Sequence, residues 1–152
     1  MPRWDKYFHE ICKVVGSNSK CLSRQIGAIL VVDKVVICTG YNGPPRGIKH
    51  CEGDICPRRL LGFKSGEGLH LCIAAHAERN AIVQAARLGI KVQGSTLYLN
   101  TDVPCKDCLI EIINAGISTV VCEDNNYYDS MSESLVLQSF PDLIVRKFKY
   151  LK

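Results

Sequence analysis

The sequence predicts an α/β fold in which helices flank a mixed β-sheet, and three observations carry that expectation. Two runs rich in branched residues, 26–32 and 35–40, meet at the pair Asp33-Lys34 and read as a hairpin. Beyond residue 76, stretches of helical periodicity alternate with short apolar runs, as strand and helix units do. No internal repeat, low-complexity tract or linker breaks the 152 residues, so 1–152 is expected to form a single domain with a sizeable core.

Taken in order, Trp4, Tyr7, Phe8, Ile11, Cys12 and Val15 recur at helical spacing ahead of the stop signals Gly16 and Asn18. His9 lies off that stripe and is expected at the surface. A polar turn from Lys20 to Gln25 leads into the hairpin, which delivers Tyr41-Asn42-Gly43-Pro44-Pro45-Arg46-Gly47 to the end of a strand. Proline and glycine alone explain a turn there, but a rigid polar loop after a buried strand also suits ligand contact. Residues 48–72 form a cysteine-rich insert with little apolar periodicity. It holds Cys51, Cys56 and Cys72, with His50 and His70 nearby, and Cys21 is placed to join them. A stretch this long with no core of its own calls for another fastener, and a structural zinc is the natural one. The bland alternative is a set of incidental surface thiols.

Ala77, Ala81, Ile82, Ala85, Ala86 and Leu88 then make a helix that Gly89 ends. Thr96 to Asn100 reads as a strand, and Pro104 opens a second helix whose apolar face is Leu109, Ile110, Ile112, Ile113 and Ala115. Ser118 to Cys122 is a further strand, and residues 124–129 form a polar loop with paired tyrosines. A helix from about Ser132 to Ser139 precedes a last strand over 142–148. Cys12, Cys38 and Cys122 fall on core-facing elements and read as small apolar residues.

Composition narrows the function classes. The formal charge is +4, but the basic residues are scattered rather than striped, which argues against nucleic acid and fits a small anionic substrate. No apolar run approaches the roughly 20 residues of a membrane helix. The amphipathic, acid-bearing start is unlike a signal peptide. Nine cysteines, an odd number gathered partly in CxxC-like clusters, favour reduced thiols and metal over disulfides. The expectation is a soluble cytoplasmic protein.

The chemistry is concentrated in two motifs. His76-Ala77-Glu78 stands just ahead of the central helix, and Pro104-Cys105-Lys106-Asp107-Cys108 places two thiols one helical turn apart. One histidine and two cysteines supply three zinc ligands and leave the fourth tetrahedral position for water. Helix N-termini favour the thiolate form. Zinc lowers the pKa of such a water from near 16 toward roughly 7. Glu78 is placed to take that proton, return it to a ring nitrogen and assist departure of ammonia. The spacing H-x-E…P-C-x-x-C is that of zinc nucleobase deaminases, and both halves match. A purely structural zinc site would use a fourth protein ligand and have no use for Glu78.

On these residues the chain resembles the cytidine deaminase superfamily. The loop Gly40-Tyr41-Asn42-Gly43-Pro44-Pro45-Arg46-Gly47, together with the run from His76 to Ile82, is similar to the deoxycytidylate deaminase branch. The resemblance runs from about Trp4 through Lys149. It implies a three-layer α/β/α sandwich around a mixed sheet of about five strands. It also implies zinc-dependent hydrolysis of dCMP to dUMP and ammonia, supplying thymidylate synthesis. By the resemblance His76, Cys105 and Cys108 hold the catalytic zinc and Glu78 is the proton shuttle. Asn42 contacts the sugar, Ala77 offers its N–H to the base and Pro104 shapes the slot. Ser23, Arg24, Tyr127 and Tyr128 are candidates for the phosphate. Members are commonly hexamers activated by dCTP and inhibited by dTTP. Tyr41, Gly43, Arg46 and Arg87 are where such an effector, with Mg2+, is expected. Some members carry a second, structural zinc, for which Cys21, Cys51, Cys56 and Cys72 are the expected ligands here, with His70 the competitor for the last places. Two rival expectations remain: a zinc deaminase acting on dCTP, tRNA adenosine or a free base, and a non-catalytic zinc-stapled binding module. A tRNA enzyme should end in a helix rich in Lys and Arg, whereas this tail reads as a short basic strand.

Overall fold

The computed structural model describes residues 2–21, 24–48, 61–62, 72, 74–127 and 129–151. In chain order the elements are α1 (Pro2–Gly16), β1 (Gly27–Val32), β2 (Val35–Tyr41), α2 (Ala77–Leu88), β3 (Thr96–Leu99), α3 (Lys106–Asn114), β4 (Thr119–Cys122), a π-helix (Ser132–Leu137) and β5 (Ile144–Lys147). The five strands lie in the order β2-β1-β3-β4-β5. β1 pairs antiparallel with both β2 and β3, whereas β3–β4 and β4–β5 are parallel, so the sheet is mixed as expected. At the hairpin Val32 faces Val35 across Asp33 and Lys34, which both take positive φ, 50° and 63°. That is the geometry a tight two-residue turn needs to follow the twist of its strands.

Strand alternation sorts side chains into two cores. Ala28, Leu30, Leu97, Leu99, Val120 and Cys122 face one side, against Ala77, Ala81 and Ala85 of α2 and Leu109 and Ile112 of α3. Ile29, Val31, Tyr98 and Val121 face the other, against Phe8 and Cys12 of α1 and Phe148. The result is the expected α/β/α sandwich. Cys12, Cys38 and Cys122 are all buried. Among the described residues no helix is long and apolar enough to cross a membrane.

The first helix departs from its expected face. Its buried stripe is Asp5, Phe8, His9, Cys12 and Gly16, while Tyr7 is exposed. His9 is therefore in the interior. Its ring stacks on Phe148 at 4.2 Å, its Nε2 lies 2.6 Å from Glu123 Oε2, and its Nδ1 meets the Tyr150 hydroxyl. Asp5 accepts two hydrogen bonds from Arg146, at 2.7 and 3.1 Å, and one from the Lys149 backbone N–H at 2.7 Å. Hydrophobic periodicity misses both residues because distant partners satisfy their polar groups. Residues 132–139 also differ: their first six form a π-helix rather than an α-helix.

Close packing seats α2 on the sheet. A Cβ built on Gly40 would lie 2.3 Å from Ala81 N and 2.6 Å from Ala77 O, so only glycine lets the helix backbone approach this strand. The Cys38 thiol donates to Ala81 O at 3.4 Å nearby. Gly40→Ala is expected to destabilise the fold by about 3 kcal/mol, the upper part of the overpacking range. It should also lower turnover, because Glu78 sits in the first turn of the displaced helix. Thermal melting and kcat check this together, and an unchanged melting temperature would contradict the contact.

Candidate active site

The site is assembled where two helices begin over one edge of the sheet. His76 is the N-cap of α2, with φ −66° and ψ 154°, so its side chain leaves the chain just before the helical path. Ala75 is tied to Gly43 by paired backbone bonds of 3.1 and 2.8 Å. The Asn80 amide donates to Tyr41 O at 2.7 Å and lies 3.3 Å from both Gly43 O and Ala75 O. That one side chain fastens the 41–43 loop to the start of α2, a role with no local signature in the sequence. Cys105 is the N-cap of α3, and its sulfur accepts from Cys108 N at 3.5 Å.

These caps bring the ligand groups together. His76 Nδ1 lies 3.5 Å from Cys105 Sγ and 3.3 Å from Cys108 Sγ. The three donor atoms all fall within 4.8 Å of one another, and they form the metal-donor cluster found among the described residues. A tetrahedral ion with Zn–N near 2.0 Å and Zn–S near 2.3 Å needs N···S edges of about 3.5 Å. The donor set therefore fits zinc in both chemistry and spacing. Cys108 is fully buried, Cys105 is 9% exposed and Glu78 only 3%.

The electrostatics suit a dication ligand set. The hydrogen bond from Cys108 draws the Cys105 thiol down to about 4 against the opposing effect of burial, with His76 assisting. That same bond, with burial, pushes the Cys108 thiol up. His76 is raised chiefly through its bond with Cys105, again against burial. A dication binding here displaces the protons these groups share. Burial pushes the Glu78 carboxyl above the ordinary glutamate value, opposed by His76 and by a hydrogen bond with Cys108. A carboxyl held this way, buried beside the donor atoms, is placed to exchange protons within the site.

Other expected residues are distributed unevenly. Ala77 opens α2 and is buried, and Pro104 is buried beside Cys105. Asn42 is 8% exposed, and its amide braces the entry to β1: Oδ1 accepts from Ile26 N and Nδ2 donates to Arg24 O, both at 2.9 Å. Each end of the amide keeps one further hydrogen-bonding position for a ligand. Arg24 donates to the Thr101 hydroxyl, and Tyr127 is exposed. Ser23, Tyr128, Cys51, Cys56 and His70 lie outside the described residues. Cys21 and Cys72 are partly buried free thiols and join no metal-donor cluster among the described residues. Tyr41, Gly43, Arg46 and Arg87 line one cleft of about 820 Å3 beside α2, where Arg46 bonds Gln84. Arg79, which the motif reading passed over, pairs with Glu111 at 3.1 Å and links α2 to α3.

A helix-flanked mixed sheet with one histidine, two cysteines and a buried glutamate at adjoining helix starts defines the class of zinc-dependent deaminases. Residues 2–124 match the cytidine and deoxycytidylate deaminase zinc-binding region, and the chain belongs to that family. It is 37% identical over 149 residues to a deoxycytidylate deaminase of Saccharomyces cerevisiae, covering 98% of this chain and 46% of that protein. The chain thus spans less than half the length of that relative. It is 39% identical over 125 residues to the deoxycytidylate deaminase of Mycobacterium phage D29, covering 79% of this chain and 94% of that one. Its fold matches the crystal structure of dCMP deaminase from the cyanophage S-TIM5 in complex with dCMP and dUMP. The TM-score is 0.76 at 26% identity, with 97% of this chain and 98% of that chain covered.

Proposed function

We propose that this chain is a single-domain enzyme that hydrolyses dCMP to dUMP and ammonia, a source of dUMP for thymidylate synthesis in the cytoplasm. The observation that carries the reading is the donor triangle His76, Cys105 and Cys108 with the buried carboxyl of Glu78 two residues after His76 and hydrogen-bonded with Cys108. A zinc ion held by that triangle would supply Lewis acidity, making a water acidic enough to react near neutral pH. Glu78 accepts a proton from the attacking water, delivers it to the ring nitrogen and then assists departure of the amine. The Ala77 N–H binds the base oxygen, and Pro104 narrows the slot around the ring. Asn42 uses its remaining amide positions on the sugar. The phosphate is bound by Arg24 and Tyr127, with Ser23 and Tyr128.

Regulation and assembly extend the reading. The cleft lined by Tyr41, Gly43, Arg46 and Arg87 supports a triphosphate effector, dCTP activating and dTTP inhibiting, with Mg2+ on the phosphates. The assembly is a hexamer. Cys21, Cys51, Cys56 and Cys72 hold a second, structural zinc, with His70 the alternative ligand.

The test is ammonia release from dCMP, dCTP, CMP and cytidine, each with and without dCTP or dTTP, alongside zinc analysis. Turnover of dCMP that either triphosphate changes, with two zinc ions per chain, is the expected result. Turnover of dCTP in place of dCMP would overturn the substrate. An unresponsive dCMP activity would remove the effector cleft, and one zinc per chain would remove the second metal.

A further inference from the structure

We propose that Asp129 and Ser132 are positioning residues that hold Cys105 in place for the metal. The peptide groups on both sides of Cys105 are bonded by side chains of one segment. Pro104 O accepts from Ser132 Oγ at 2.7 Å, and Lys106 N donates to Asp129 Oδ2 at 2.8 Å. A third bond, from Val103 N to Asn126 O at 3.2 Å, anchors that segment one residue earlier. Asp129 is itself oriented, because its Oδ1 accepts from Met131 N at 3.0 Å. Ser132 is fully buried, so no solvent replaces its bond when the hydroxyl is removed.

The bracket answers a specific problem. The first N–H groups of a helix have no intrahelical partner and seek an acceptor. Lys106 is the first residue of α3, and the Cys105 sulfur at the N-cap already accepts from Cys108 N. Asp129 takes the Lys106 N–H, so the sulfur is not drawn toward a second donor. Ser132 fixes the preceding carbonyl, and with it the rotation of the peptide that carries Cys105. Metal ligands tolerate about 0.5 Å of displacement from productive geometry, which is the margin such a bracket controls. The inference rests on His76, Cys105 and Cys108 being the metal ligands. It adds that Asp129 and Ser132 govern how firmly the metal is held.

The test is zinc release from the loaded protein to a colorimetric chelator, without substrate, in wild type, Asp129→Ala, Asp129→Asn and Ser132→Ala. Outer-shell partners typically contribute about 10- to 100-fold to metal affinity. Asp129→Ala is expected to lose zinc within that range, Ser132→Ala at its lower end, and Asp129→Asn, which keeps an acceptor oxygen, close to wild type. Wild-type retention in Asp129→Ala would overturn the proposal, as would equal loss in the alanine and asparagine variants, since a merely structural or charge role predicts no rescue. If Asp129→Ala does not fold, Ser132→Ala decides alone, and unchanged retention there overturns it. A wild-type protein that binds no zinc overturns the ligand assignment and the bracket together. Firm zinc binding without dCMP turnover leaves the bracket standing and removes only the substrate.

Discussion

Glu78→Gln lowers kcat for dCMP by at least about a thousandfold while zinc content and melting temperature stay at wild-type values; that is the expected result. Glutamine preserves the size of the side chain, so the 3%-exposed pocket it fills is neither emptied nor overfilled. What disappears is a group able to accept and return a proton, and general acid–base catalysis is typically worth about 10²- to 10⁴-fold. In the proposed reaction two proton transfers pass through this one carboxyl, which places the expected loss toward the upper half of that range. The measurement is steady-state ammonia release with metal analysis and melting on the same sample. Retained activity would remove Glu78 from the chemistry. Loss of zinc or of folding would instead assign it a structural role.

The second large effect is metal loss in Cys108→Ser. Cys108 is fully buried, and its sulfur completes the triangle with His76 Nδ1 and Cys105 Sγ. A serine hydroxyl is a harder and shorter donor that does not ionise near neutrality, so it cannot replace the thiolate. The expected fall in zinc affinity exceeds the roughly 10- to 100-fold that outer-shell changes cost. Ammonia release should fall to background, and excess zinc should not restore it. A variant that keeps stoichiometric zinc and activity would mean the metal is held elsewhere. The same treatment of wild type with a strong chelator should abolish turnover reversibly, with zinc addition restoring it.

The parts of this molecule that were legible in the sequence are those whose meaning is local. The metal ligands lie in two short motifs at helix starts, and the hairpin announces itself by a two-residue break between branched runs. Alternation along β1, β3 and β4 divides their side chains between the two cores. The errors came from contacts made at a distance. His9 lies off the apolar stripe that the sequence shows, which points to the surface, yet its partners Glu123 and Tyr150 lie 114 and 141 residues away and hold it inside. The bracing of residues 24–26 by the Asn42 amide is likewise a contact that no local pattern announces, and it leaves the expected ligand contact open to the remaining amide positions. Asp129 and Ser132 carry no local mark of their work, since their partners precede them by 23 and 28 residues.

The buried attachments of Asp5 and His9 to residues 146–150 bear on the order in which the polypeptide matures. The apolar face of α1 finds Ile29, Val31, Tyr98 and Val121 on earlier strands, but the polar groups of Asp5 are met only after the last strand has been synthesised, because Arg146 and Lys149 supply its donors. During translation Asp5 therefore waits unneutralised, while the hairpin beside the helix is already able to form. Contacts spanning so much chain are entropically expensive to close and form late. A chain cut short before residue 146 leaves the Asp5 carboxylate without Arg146 and the Lys149 N–H, while His9 loses Phe148 and Tyr150 and keeps Glu123.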